Sequence, residues 1–139
     1  MRFFDASAVV KRYVRERGSA VVVRLLKGGD VAVSRLSEVE VVSAFARLAR
    51  EGGLSMSQRD RAMDAFLVDL GSWTIVEITA SVTHSASRLL LRHALRSADA
   101  IQLACALMLQ ESAAGLDAFV AHDDRLIEAA RAEGLVVRP

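Results

Sequence analysis

Five short apolar stretches, RFF (2–4), VAV (31–33), WTIVEI (73–78), AFVA (118–121) and LVV (135–137), are each separated from the next by segments with helical spacing. This alternation constrains the fold more than any other feature. Strands joined through a helix cannot pair as a hairpin, and the crossover lays them parallel. A parallel sheet needs cover on both faces. The pattern therefore predicts an α/β chain of three layers: a mostly parallel central sheet of four or five strands with helices on both faces, in a single domain over 1–139. The intervening segments carry helix signals of their own. DASAVVKRYVRER (5–17) has apolar residues at helical spacing, and SAVVVRLLKGG closes on a glycine pair. SEVEVVSAFARLAREGG ends at Gly52 and Gly53, and SMSQRDRAMDAFLVDL puts Met63, Phe66, Leu67 and Leu70 on one face. TASVTHSASRLLLRHA, SADAIQLACALML and DDRLIEAARAEG complete the set.

Composition narrows the function. The longest unbroken apolar run, Leu103 to Leu109, is too short to span a membrane. MRFFDASAVVKRY carries an acid at position 5 and only a short apolar stretch, unlike a secretory leader. The single cysteine, Cys105, lies within the apolar run, which suits a core position in a reducing cytoplasm and excludes a cysteine zinc cluster. The net charge of +1 announces no nucleic-acid binder, although sixteen of the eighteen cations are arginine, the better side chain for gripping phosphate.

Four acids stand out by position. Asp5 directly follows RFF, Asp123 follows AFVA by one residue, and Glu40 opens the helix after VAV. In open parallel sheets the ligand crevice lies outside the carboxyl ends of the strands, so these three belong on one rim. Asp99 follows no strand; it opens the helix SADAIQLACALML, whose interior is otherwise apolar. Each acid also has a local explanation. Ser37 and Glu40 have capping-box spacing, Asp5 and Asp123 suit N-caps, and Ser97 could cap a helix whose positive end Asp99 favours. Together they pose an electrostatic problem. Two like charges 4 Å apart repel by about 4 kcal/mol at an effective dielectric near 20, and several such pairs approach the whole stability of a domain. Protonation or a divalent cation must relieve it. Oxygen donors without cysteine or a histidine pair favour Mg2+ or Mn2+, and such an ion suits phosphodiester hydrolysis.

With these motifs in order, the chain resembles the PIN-domain ribonucleases, in particular the toxins of VapBC-type toxin–antitoxin pairs. FFDASAVVKRYVRERGS is similar to that family's opening, VSRLSEVEVVSAFARL to the segment with its glutamate, LRSADAIQLACAL to that with its third acid, and FVAHDDRLIEAARAEGL to its closing strand, aspartate and helix. The resemblance spans essentially the whole chain. It implies metal ligation and catalysis by Asp5, Glu40, Asp99 and Asp123, with Asp5 and Asp99 as direct ligands and Ser7 supporting Asp5. It further implies cleavage of RNA, a homodimer, and neutralisation by a cognate antitoxin whose tail crosses the active groove.

Two departures matter. The family places threonine two residues before the closing aspartate, where this chain has Ala121, so a hydroxyl that would orient Asp123 is missing. Periodicity of Val41, Val42, Phe45, Leu48 and Ala49 favours Glu38 facing inward, whereas spacing favours Glu40; the spacing is followed, because helix starts depart most from ideal geometry. His122, beside Asp123, could touch a phosphate or act as an acid, but reads more readily as a solvent-facing strand end; Tyr13 and Trp73 read as packing residues. Arg12, Arg96 and Arg125 are candidates for gripping phosphate or for pairing with a neighbouring acid. The apolar faces Val21 to Leu26 and Phe66 to Leu70 suit either the core or a dimer or antitoxin surface. Two competing functions remain open: a PIN-like binding module whose acids are only caps, and an aspartate-dependent phosphatase, which would need an acid where Ser7 stands.

Overall fold

The structure is a computed structural model and describes residues 1–138. Strand β1 (Arg2–Phe4) leads into α1 (Ala6–Tyr13) and α2 (Ser19–Lys27), then β2 (Val31–Ser34). Helices α3 (Ser37–Arg50) and α4 (Met56–Leu70) precede β3 (Thr74–Val76), and α5 (Ala80–Arg92) and α6 (Ser97–Glu111) precede β4 (Ala118–Val120). Helix α7 (Asp124–Ala132) and the short β5 (Val137–Arg138) follow.

The strands form one sheet in the order β3-β2-β1-β4-β5, and every pairing is parallel, as the crossovers require. Successive residues of a strand face opposite sides of the sheet, and the core divides accordingly. Phe3, Ala32 and Phe119 face α5, α6 and α7, packing with Val82, Leu89, Leu103 and Leu126. Phe3 and Phe119 are register partners and stack with ring centroids 5.8 Å apart. Phe4, Val33 and Val120 face the opposite layer with Val9, Val22, Phe45 and Phe66. The three expected layers are present.

Tyr13 and Trp73 are packing residues. Tyr13 meets Phe45 and Phe66 edge-on, and Trp73 lies 6.4 Å from Phe66. Phe66 and Leu70 are buried, whereas Leu67 and Val68 remain exposed, so the α4 face divides between core and surface. Arg12 pairs with Asp69, which also accepts from the Tyr13 hydroxyl at 2.6 Å.

Several boundaries differ from the sequence expectation. The first helix stops at Tyr13 rather than running to Arg17, because the Ser19 hydroxyl donates to the Val14 carbonyl and accepts from the Glu16 amide, closing a loop. The third strand keeps only Thr74–Val76 of WTIVEI: Trp73 turns into the core, and Glu77 pairs with Arg35 at the surface. Ser37 and Glu40 form no capping box. Helix α3 has Leu36 as its N-cap and no side-chain cap, and the Ser37 hydroxyl is buried and accepts from Gln102. Ser97 likewise does not cap α6, whose N-cap is Arg96. A capping box does occur at α4, between Ser55 and Gln58.

Candidate active site

At the carboxyl ends of β1, β2 and β4 an open cleft of about 600 Å³ is bordered by Asp5, Glu40, Asp99 and Asp123. Four separate segments deliver them. Asp5 is the first residue beyond β1, and its amide donates to the Val120 carbonyl of β4 at 2.9 Å, tying it to the sheet. It is also the N-cap of α1: one carboxylate oxygen, Oδ2, accepts from the Ser7 amide at 3.0 Å and from the Ser7 hydroxyl. No protein donor reaches Oδ1 among the described residues. Asp123 caps α7, accepting from the Leu126 amide at 2.9 Å. Capping and facing the cleft are therefore compatible in one side chain.

Helix α3 turns its two glutamates to different sides. Ser37, Val41 and Phe45 form its buried line, and Glu40, Ala44, Arg47 and Leu48 form the adjacent face that walls the cleft. Glu38 lies away from the cleft and pairs with Arg35 at 3.1 Å. Periodicity misleads here because the face nearest the core is not the one that lines the site. Glu40 Oε2 instead accepts from the buried Gln102 amide at 2.6 Å.

The electrostatics show four carboxylates acting on one another. Asp5 is buried, and burial, assisted by the charges of Glu40 and Asp99, pushes its carboxyl up to about 6 despite the Ser7 bonds. Glu40 is raised by burial and by Asp99, against the Gln102 bond. Burial and the charge of Asp123 raise Asp99, with Arg96 opposing. No lysine or arginine hydrogen-bonds to any of the four among the described residues, although Lys11, Arg47 and Arg96 border the cleft. Nor, among the described residues, do any three side chains of His, Cys, Asp and Glu stand close enough, as placed, to close around an ion. The donor chemistry nonetheless fits one. A set of only carboxylates, with Asp5, Glu40 and Asp99 raised by burial and neighbouring charge, is what a hard divalent ion would relieve.

His122 differs from the solvent-facing strand end expected. Its backbone amide donates to the Ser7 hydroxyl at 3.2 Å, and its ring Nε2 is buried without a partner. Burial and the Lys11 charge lower its pKa, so the ring is neutral at physiological pH. The cause lies in the preceding loop: Gly18, at φ 90°, brings its backbone against the imidazole, where a Cβ would sit 2.9 Å from Cε1. Ala121 is fully buried in the core. Gln102 was not singled out from sequence. Its signal was available as the one amide in the otherwise apolar stretch Ala100 to Leu109.

Comparison with known proteins gives a consistent picture. A model of the PIN domain family matches residues 2–132. Ribonuclease VapC45 of Mycobacterium tuberculosis is 40% identical over 138 residues, covering 99% of this chain and 94% of the relative. Among solved structures, Mycobacterium tuberculosis VapC20, described as a sarcin-ricin loop cleaving toxin, superposes with a TM-score of 0.69 at 22% identity, covering 100% of both chains. A toxin–antitoxin complex from Klebsiella pneumoniae superposes with a TM-score of 0.64 at 17% identity, covering 88% of this chain and 87% of that one.

Proposed function

The chain belongs to the PIN-domain family as a ribonuclease of the VapC toxin type, and we propose that Asp5, Glu40, Asp99 and Asp123 are its catalytic acids, holding Mg2+ or Mn2+ for hydrolysis of RNA phosphodiester bonds. The observation that carries the assignment is the placing of these four acids around one cleft, with Asp5 pushed to about 6 and, among the described residues, no basic side chain hydrogen-bonded to any of them. When bound, the ion activates water and neutralises charge growing on the phosphate. The chain's own residues prepare that chemistry. Ser7 holds Asp5 Oδ2, which leaves Oδ1 free to ligate. Asp5 and Asp99 serve as direct ligands, and Glu40 and Asp123 bind a second ion or position water. Arg47 and Arg96, at the cleft border, suit contact with the RNA phosphates.

The phosphatase alternative loses its support at Ser7, whose hydroxyl bonds the first aspartate and supplies no second acid. The same proposal includes a cognate antitoxin as partner, a homodimer and a cytoplasmic setting, and its support is the likeness to the VapC ribonucleases and to a toxin–antitoxin complex. No helix among the described residues is long and apolar enough to cross a membrane.

The decisive measurement is RNA cleavage against added Mn2+. Asp5→Asn and Asp99→Asn should each lower the rate by at least about 100-fold while circular dichroism stays native, the loss expected when a positioned catalytic group is removed. A folded wild-type protein that binds neither ion at millimolar concentration would overturn the assignment. Cleavage unaffected by a co-expressed short protein encoded beside it would remove the antitoxin.

A further inference from the structure

Helix α6 is apolar where it crosses the core, yet at its centre stands Gln102, fully buried between Ile101 and Leu103. Burying an amide without partners is costly, and a leucine would fill the same space at no such cost. Each polar hydrogen and the carbonyl of Gln102 has a partner. Oε1 accepts from the Ser34 hydroxyl at 3.0 Å; Nε2 donates to the Ser37 hydroxyl at 3.1 Å and to Glu40 Oε2 at 2.6 Å. The amide thereby joins the end of β2 and the first turn of α3 to α6. Its orientation is fixed, because a flip would turn Oε1 towards the Glu40 carboxylate and lose the bond from Ser34.

We infer that Gln102 is a positioning residue for Glu40: its amide pins Oε2 and so aims Oε1, which has no protein donor among the described residues, at the cation held in the cleft. The inference rests on the metal-dependent reading proposed above and adds to it a residue that touches neither ion nor RNA. Helix α3 has no side-chain cap, and the Ser37 hydroxyl is engaged by Gln102. Glu40, free of any capping role, is held from below by an amide whose own direction is set by a second strand.

The test measures Mn2+ dissociation constants, by electron paramagnetic resonance of the free ion, for wild type, Gln102→Met, Glu40→Gln and the double variant, with thermal midpoints recorded for all four. Outer partners of metal ligands commonly contribute 10- to 100-fold in affinity, so Gln102→Met should weaken Mn2+ binding by about 10-fold or more. In the Glu40→Gln background the same substitution should change affinity by less than about 2-fold, although its effect on the midpoint persists. Equal weakening in both backgrounds would make Gln102 merely structural and overturn the inference, as would undiminished binding by Gln102→Met. Failure of the wild type to bind Mn2+ would overturn the active-site assignment together with it, a result distinct from either of those. Should Gln102→Met not fold, Ser34→Ala frees the amide without touching Gln102 or Glu40. It should weaken Mn2+ several-fold, and an unchanged constant there would equally overturn the inference.

Discussion

Asp5 combines two demands that pull its carboxyl in opposite directions. As an N-cap it accepts two bonds from Ser7, which favour the charged form; burial beside Glu40 and Asp99 disfavours it, and burial prevails, moving the group from 3.8 to about 6. Between those values the folded chain keeps a proton that the unfolded chain has released. Stability from this group is therefore complete below 3.8 and lost as pH rises through about 6, amounting to about 3 kcal/mol. The cation-free protein should accordingly show a lower urea midpoint near pH 7.5 than near pH 5, and Asp5→Asn should flatten that decline. Saturating Mn2+ near pH 7.5 should restore the midpoint, because the ion binds the deprotonated acid. At this scale the sequence was informative where an acid directly follows a strand, as at Asp5, since strand ends point at the crevice whatever the tertiary details. It was uninformative at Gln102 and His122. Their environments are made by residues distant in the chain, Glu40 for one and Gly18 for the other, and no local spacing encodes such a meeting.

Helices show where local rules hold and where packing overrides them. α4 begins with reciprocal bonds between Ser55 and Gln58, both at the surface, where nothing competes for them. Ser55→Ala should lower stability by about 1 kcal/mol, read from chemical denaturation, and leave RNA cleavage unchanged because α4 does not border the cleft. α3 has the same signature at Ser37 and Glu40 but does not use it, and both side chains bond to α6. The order of strands and helices was legible throughout because amphipathic spacing survives packing. Ends were less so: the last turn of a helix is decided by single contacts such as that of Ser19 with Val14. The same applies to Trp73, whose β-favouring indole goes to the core rather than the sheet.

Over the whole molecule, the two layers of core are joined through adjacent residues of single strands. Phe3 faces one layer and Phe4 the other, and Phe119 and Val120 repeat the arrangement next to them. Neither layer can loosen without disturbing the central strands that serve both. Phe3→Ala, on the α6 side, should cost about 3–5 kcal/mol. The fluorescence of Trp73, which packs on the opposite layer, should then report the same shifted midpoint as far-ultraviolet dichroism. Two separate transitions would mean that the layers fold independently.

The bond from the Asp5 amide to the Val120 carbonyl spans nearly the length of the chain. During synthesis, β1 emerges early but keeps one bare edge until residues 118–120 leave the ribosome and dock beside it. Until then the first acid is held by Ser7 alone, without its bond to β4. A chain broken off before residue 118 therefore leaves one edge of β1 unpaired and lacks Asp123, so the four-acid cleft exists only once the C-terminal part of the chain has been made.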